Sequence, residues 1–185
     1  LMVTSSFADI TYDQAREHNL SVGLHLNASG EGGFLTNSSI LGKQGKVNSA
    51  FKNGLPLEAS EVDEVIEEFR RQLDLFISKF KVTPDHLNHH HPLYMIPNFT
   101  EAFAKFVKEV NIPTRWFRDI SPYKLRFPDY TEFGFFEDGS LTVDKLIELL
   151  NASPEGVTEV VLHPGFYDPN STSSYNKERE KQVHI

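Results

Sequence analysis

Apolar residues recur every three or four positions in several separate stretches of the chain, which is the spacing of amphipathic helices. The longest such stretch follows Ser60, which with Asp63 indicates an N-terminal cap, and Pro84 ends it. Its apolar side predicts core packing. The predicted helices cover about 7–18, 62–80, 99–110 and 142–150.

Short β-strand patterns alternate with these helices. Strands are predicted at 1–4, 21–26, 86–90, 111–115 and 157–162, and a Gly- and Ser-rich loop is predicted at 27–57. Alternation of strands and helices predicts an α/β fold, with a parallel sheet or a β/α barrel. In such folds the chemistry lies beyond the C-terminal ends of the strands, where His25, His90 and His163 are all predicted.

Composition narrows the class of protein. The chain has 185 residues, which fits one globular domain, and a formal net charge of −8, which argues against nucleic acid or an anionic membrane as partner. It contains no cysteine, which excludes disulfides, Cys-ligated zinc and a cysteine nucleophile. No apolar run is long enough to cross a bilayer, and no leader pattern precedes the first strand, so a cytoplasmic protein is expected.

The densest chemical feature is the run His86-Leu87-Asn88-His89-His90-His91. Strand alternation puts Leu87 and His89 on the helix-packed side, and Asn88 and His90 on the other side. His25 and His90 are either ligands of a zinc-like ion or hydrogen-bonded residues at strand ends, and the residues alone leave both readings open. For His86 and His89, a structural role as hydrogen-bonded residues is favoured over metal binding.

His163 and the aromatic residues between 117 and 136 also admit two readings. His163 precedes Pro164-Gly165, so its imidazole either caps a turn or donates a proton to a leaving amine. The aromatic residues either line a sugar cleft or subunit contact, or are simply buried, and burial is favoured for most of them. They are Phe117, Tyr123, Phe127, Tyr130, Phe133, Phe135 and Phe136.

Three segments in order resemble the YdjC-like carbohydrate deacetylase family, which includes chitooligosaccharide deacetylases. They are Val-Gly-Leu-His-Leu-Asn at 22–27, Pro-Asp-His-Leu-Asn-His-His-His through Met-Ile-Pro at 84–97, and Glu-Val-Val-Leu-His-Pro-Gly-Phe at 159–166, followed by Tyr175 and Arg179. The resemblance implies one deacetylase-like domain over 1–185 with a distorted or incomplete β/α-barrel fold. It also implies hydrolysis of an acetyl group from an N-acetylated mono- or oligosaccharide, with a divalent metal ion, Mg²⁺ or Zn²⁺.

The resemblance also assigns roles to residues. It implies that His25 and His90 are metal ligands and that His163 is a general acid or a contact to the transition state. Arg115 and Asn88 are expected to bind substrate, although a surface ion pair is an equal alternative for Arg115. The expected partner is a small acetylated sugar, and a homodimer is left open.

The chain departs from the family pattern at three places. The family opens with a strand that ends in Asn-Ala-Asp-Asp-Phe-Gly, which supplies a carboxylate ligand, and nothing here matches it. The expectation is therefore a chain without the family's first strand and helix and without its C-terminal end. Asn88 stands where the family has aspartate, and Tyr94 where it has histidine. These departures motivate an alternative function, a non-catalytic descendant that binds a carbohydrate or a protein.

Overall fold

Six α-helices alternate with four short strands in the computed structural model, which describes residues 1–115, 123–133, 142–170 and 176–184. The chain divides into two units, Leu1–Phe127 and Pro128–Ile185. The first unit contains α1 (Ala8–Glu17), β1 (Leu24–Leu26), α2 (Lys46–Asn53), α3 (Ala59–Phe80), β2 (Leu87–His89), a 3₁₀ turn (Leu93–Met95) and α4 (Phe99–Val110). The second unit contains β3 (Tyr130–Glu132), α5 (Val143–Ala152), β4 (Thr158–Val160) and α6 (Asn176–Gln182).

The strands pair in parallel within each unit. In the first unit β1 pairs with β2, and Thr114 extends this pairing through a parallel bridge to Leu87. In the second unit β3 pairs with β4. Parallel pairs of strands separated by helices confirm the predicted α/β class. The barrel-like arrangement and the single domain stay predictions.

The core of the first unit lies between the sheet and helices α3 and α4. Phe69, on α3, is fully buried, and its ring contacts the rings of Phe99 and Phe103 at centroid distances of 6.1 and 6.0 Å. Both contacts are edge-to-face, a favourable arrangement for aromatic pairs. Burying one such side chain stabilises the fold by about 1.5–3 kcal/mol. The apolar stripe on α3 therefore packs into the core, as its spacing predicts.

Two predictions near the start of the chain are wrong. Residues 1–4 do not form a strand, because the chain turns at once, with the Ser5 N–H donating to the Met2 carbonyl at 3.1 Å. Only Leu1 pairs with β1, through its carbonyl and the His25 N–H. The predicted loop at 27–57 contains helix α2, which buries Val47, Ala50 and Phe51. That helix is short and lies in a stretch rich in Gly and Ser. The periodicity of its apolar residues, three or four positions apart, is therefore difficult to recognise in the sequence.

The cap of α3 also differs from the prediction. The N-cap residue is Glu58, not Ser60, and its N–H donates to the Glu61 carboxylate at 2.8 Å. Glu58 and Glu61 form a reciprocal capping box, in which glutamate replaces the usual serine. The N-cap of α5 is Thr142, whose hydroxyl accepts from the Lys145 N–H.

In the part of the chain that the structure describes, none of the helices combines the length and the hydrophobicity of a transmembrane span.

The aromatic stretch differs from its prediction of burial where it is described. Phe127 is 42% exposed and Tyr130 46% exposed, while Tyr123 and Phe133 are half-buried. Tyr130 begins strand β3, which the sequence pattern did not indicate. Phe117, Phe135 and Phe136 lie outside the described residues.

Candidate metal centre

The parallel strands β1 and β2 bring their middle residues, His25 and Asn88, side by side. The parallel register pairs these residues directly, so their side chains leave the sheet on the same face. His25 Nδ1 lies 2.5 Å from Asn88 Oδ1. This contact pairs an amide oxygen, which accepts hydrogen bonds, with the Nδ1 side of the imidazole.

His90 follows β2 and joins the same edge of the sheet. Its backbone N–H donates to the Leu26 carbonyl at 2.7 Å, which fixes the chain where it leaves the strand. The His90 ring lies 5.6 Å from the His25 ring, centre to centre, with an angle of 81° between the planes. Gly30 makes room for it, because a Cβ atom at Gly30 would lie 2.6 Å from His90 Cδ2.

Burial keeps these imidazoles neutral. It lowers the pKa of His25 from 6.5 to about 3, against a smaller opposing effect of the Asn88 hydrogen bond. Burial also lowers the pKa of His90. A neutral imidazole is the form that binds a metal ion. At neutral pH both rings are therefore ready to act as ligands.

The spacing of the two rings suits one ion. An imidazole nitrogen binds a zinc-like ion at about 2.0–2.1 Å and lies about 1.1 Å from its ring centre, so two rings on one ion have centres within about 6.4 Å. The observed 5.6 Å meets this limit. This distance permits both rings to contact one ion.

A third ligand does not accompany them in the described ranges. Among residues 1–115, 123–133, 142–170 and 176–184, no three His, Cys, Asp or Glu side chains converge as a group that could hold a metal. Stable zinc sites have at least three protein ligands. The two imidazoles alone would hold an ion weakly.

Of the two neighbouring histidines, His89 points to the helix side, whereas the His91 ring lies beside the His90 ring, 3.9 Å away from centre to centre. His89 lies on the helix side of β2, where its ring meets Phe99 and Phe103 edge-on at 6.0 and 5.2 Å. Burial lowers its pKa from 6.5 to about 4. His91 has a φ of 61° and stacks on Phe51 at 4.7 Å, with its Nδ1 atom 2.9 Å from the Ser29 hydroxyl. These contacts agree with the structural reading of His89.

A buried polar pair on α3 holds the chain that follows β1. The Gln72 side chain accepts from the Asn27 N–H at 2.9 Å and donates to the Asn27 carbonyl at 2.7 Å. Glu68, fully buried, accepts from Gln72 and from the backbone N–H groups of Leu35 and Thr36. The segment that contains Gly30 is therefore fixed at both ends, which positions it against His90.

Arg115 lies one residue beyond the bridge between Thr114 and Leu87, and its N–H donates to the Leu87 carbonyl at 3.0 Å. Its positive charge is near enough to His89 to contribute to the lowered pKa of that imidazole, where burial is the larger cause. Asn88 itself uses its amide oxygen on His25. Substrate binding by Arg115 and Asn88 stays a prediction.

His163 belongs to the second unit, three residues beyond β4. Its backbone N–H donates to the Gln182 side chain on α6 at 2.6 Å, and the Gly165 N–H donates to the Arg179 carbonyl at 3.1 Å. The Arg179 guanidinium lies over Gly165, where a Cβ atom would be 2.8 Å from it. Helix α6 thus fixes the His-Pro-Gly segment, and the catalytic role of His163 stays a prediction.

Comparison with known proteins identifies the family. The sequence model of the YdjC-like protein family matches residues 1–185, which is the whole chain. The chain belongs to the YdjC-like family. The resemblance in the three motif segments is thereby confirmed.

Two relatives and one solved structure illustrate the similarity of this YdjC-like chain to other proteins. A carbohydrate deacetylase of Clostridium beijerinckii is 30% identical over 99% of this chain and 76% of the relative. A chitooligosaccharide deacetylase of Yersinia enterocolitica is 31% identical over 69% of this chain and 55% of the relative. A crystal structure from Enterococcus faecalis V583, described as a candidate cellobiose-phosphate cleavage protein, matches with a TM-score of 0.75 and 22% identity. It covers 100% of this chain and 77% of that chain, and at this identity it supports the fold alone.

Sequence reasoning missed the supporting residues of this YdjC-like site. Gly30 and Ser29 lie in the stretch predicted as loop, and strand alternation puts His91 on the same side as Leu87 and His89, away from His90. One signal was available for Glu68 and Gln72, which are polar residues spaced four apart beside the apolar stripe of α3. A polar pair at that spacing can face the core together when it has buried partners.

Proposed function

We propose that this chain is a metal-dependent deacetylase that hydrolyses the acetamido group of an N-acetylated mono- or oligosaccharide. The observation that supports it most is the pair of half-buried imidazoles of His25, in β1, and His90, just after β2, whose ring centres are 5.6 Å apart and whose pKa values are lowered by desolvation. The names of the Clostridium beijerinckii and Yersinia enterocolitica relatives support the substrate class.

His25 and His90 would hold the ion, and their nitrogen atoms favour a zinc-like metal over magnesium, which prefers oxygen ligands. If bound there, a divalent ion would supply Lewis-acid polarisation of the acetyl carbonyl and would make water more acidic. The additional ligand that such an ion requires is not assigned to a residue.

The remaining roles fall to side chains of the chain itself. Hydrolysis adds the oxygen of a water molecule to the acetyl carbon and breaks the bond between that carbon and the sugar nitrogen. The products are acetate and an amine, whose nitrogen must gain a proton. His163 would donate that proton to the nitrogen as the bond breaks. Arg115 would contact sugar hydroxyl groups, which are acceptors for its guanidinium N–H groups.

Acetate release from N,N′-diacetylchitobiose tests the proposal. The purified chain is treated with a chelator, reloaded with Zn²⁺ or Mg²⁺, and assayed for acetate, while its metal content is measured by elemental analysis. We expect acetate release only after reloading. His25→Gln and His90→Gln should lose both metal and activity. His18→Gln is the matched control, because His18 is an exposed histidine. Unchanged metal content in both site variants would contradict the proposal.

A second candidate function is a non-catalytic protein that binds carbohydrate. It is favoured by the absence, among the described residues, of a third His, Cys, Asp or Glu beside His25 and His90. Under this alternative, calorimetry would detect binding of the sugar by the metal-reloaded chain, with no acetate formed.

A further inference from the structure

The carboxamide of Asn88 has a contact that substrate binding would not require. Its oxygen lies 2.5 Å from His25 Nδ1, although the two residues are 63 positions apart in the chain. The parallel register holds their backbones opposite each other, and both side chains are half-buried. A hydrogen bond between two fixed and partly buried groups restricts the rotation of both side chains.

The chemistry of this contact determines which nitrogen of His25 has the proton. A neutral imidazole has one N–H group and one nitrogen with a free lone pair. The Asn88 oxygen can only accept, so the short contact is favourable only when the proton is on Nδ1. The hydrogen bond of one ring nitrogen sets the state of the other, which makes Nε2 the ligand atom.

We propose that Asn88 is a positioning residue, which fixes His25 in its Nδ1–H tautomer and thereby presents Nε2 as a metal ligand beside His90. The tautomer itself is independent of any metal, and only the effect on metal affinity rests on the proposed function. Partners of this kind typically change metal affinity by about 10- to 100-fold.

Asn88 suits this role because an amide cannot take up the proton of the imidazole. A leucine at this position has a similar size but no acceptor, so it removes the hydrogen bond and keeps most of the packing. An aspartate keeps an acceptor oxygen at the same distance along the side chain. Asn88→Leu and Asn88→Asp therefore separate the hydrogen bond from the shape of the side chain.

The experiment reads the tautomer directly. Nitrogen-15 NMR of the metal-free full chain at pH 7.5 records the two ring nitrogens of His25, assigned by their loss in His25→Gln. We expect a proton-bearing Nδ1 and a bare Nε2 in the wild type and in Asn88→Asp. In Asn88→Leu we expect this signature to be lost and the affinity for Zn²⁺, measured by calorimetry, to fall by about 10- to 100-fold.

Three outcomes decide the matter. A proton on Nε2 in the wild type would overturn the proposal without any variant. An unchanged Nδ1–H signature in Asn88→Leu would overturn it too, even if Zn²⁺ binds and the proposed function stands. A signature that is lost in Asn88→Leu and restored in Asn88→Asp supports it, even if the wild type binds no Zn²⁺ and the proposed function fails. Asn53→Leu, an exposed substitution of the same type, is the control.

Discussion

The Cα atom of Gly30 faces the His90 ring so closely that a methyl group added there would lie 2.6 Å from Cδ2 and 2.8 Å from Nε2. A side chain at position 30 would also meet Asn27 Oδ1 at 2.9 Å. Contacts this short require the ring to move. The position of His90 therefore depends on a residue 60 positions away that has no side chain.

Gly30→Ala should displace the His90 ring and weaken zinc binding by about 10- to 100-fold. The stability should fall by about 1–3 kcal/mol, since the site is already packed. Calorimetric titration with Zn²⁺ and urea unfolding measure the two effects. Gly33→Ala is the matched control, because its nearest neighbour, the Thr4 carbonyl oxygen, is 4.0 Å away. Equal zinc affinity in both variants would refute the steric explanation.

Glu68→Ala should lower the free energy of unfolding by about 3 kcal/mol, because it leaves the buried Gln72 amide and the part-buried N–H groups of Leu35 and Thr36 without their acceptor. Glu68→Gln should have a smaller effect, since one acceptor oxygen remains. Urea unfolding measures both. Glu67→Ala removes an exposed glutamate paired with Arg71 and should cost about 0.5 kcal/mol. If Glu68→Ala lowered the free energy of unfolding by as little as Glu67→Ala, the Glu68–Gln72 pair would not be what fixes this segment.

Phe69→Ala should destabilise the first unit by about 3–5 kcal/mol, because it opens a cavity among the rings of Phe99, Phe103 and Phe106. Thermal unfolding followed by near-ultraviolet circular dichroism measures the loss. Phe7→Ala removes the same side chain where it is 70% exposed, and we expect a change within about 0.5 kcal/mol. Similar losses for the two variants would place Phe69 outside the core.

Acidification should destabilise the protein through its buried histidines. Burial lowers the pKa of His89 from 6.5 to about 4, so the unfolded chain binds more protons than the folded one between these values. Stability is therefore fully present above pH 6.5 and is lost as the pH falls towards 4. Between pH 7 and pH 5 we expect a loss on the order of 1–2 kcal/mol from His89.

Urea unfolding at pH 7 and pH 5 checks this expectation, and His89→Gln should reduce the difference between the two values. His18→Gln, which changes an exposed histidine, should leave the difference unchanged. A pH dependence that is identical in the wild type and in His89→Gln would show that His89 does not contribute.

The sequence was most informative where one face of an element is strongly apolar. Helices α3 and α4 lie within a few residues of their predicted bounds, because stripes such as Val65, Phe69 and Phe76 have one way to be buried. Strand alternation likewise predicts that Asn88 is on the opposite face of the strand from Leu87 and His89. The α/β class followed from these elements, since parallel strands require helical connections.

Other features depended on contacts that no local pattern encodes. The N-cap at Glu58 and the eight-residue helix α2 have no distinctive local sequence pattern. Tertiary packing determines where both of them form. The hydrogen bond between His25 and Asn88 depends on the register of two strands, which a single sequence does not reveal. The close approach of Gly30 to the His90 ring depends on the tertiary structure, because the two residues are far apart in the sequence. The sequence therefore indicated candidate ligands but not the residues that position them.

The parallel pairing of β1 and β2 has a consequence for how the protein acquires its site. The two strands meet only when the intervening chain, with α2 and α3, closes a long loop, so bringing His25 beside Asn88 costs loop-closure entropy. A ligand that bridges the two strand ends would bind the native state and not the nascent chain. Occupancy of the site should therefore slow the unfolding of the first unit and protect it from proteolysis.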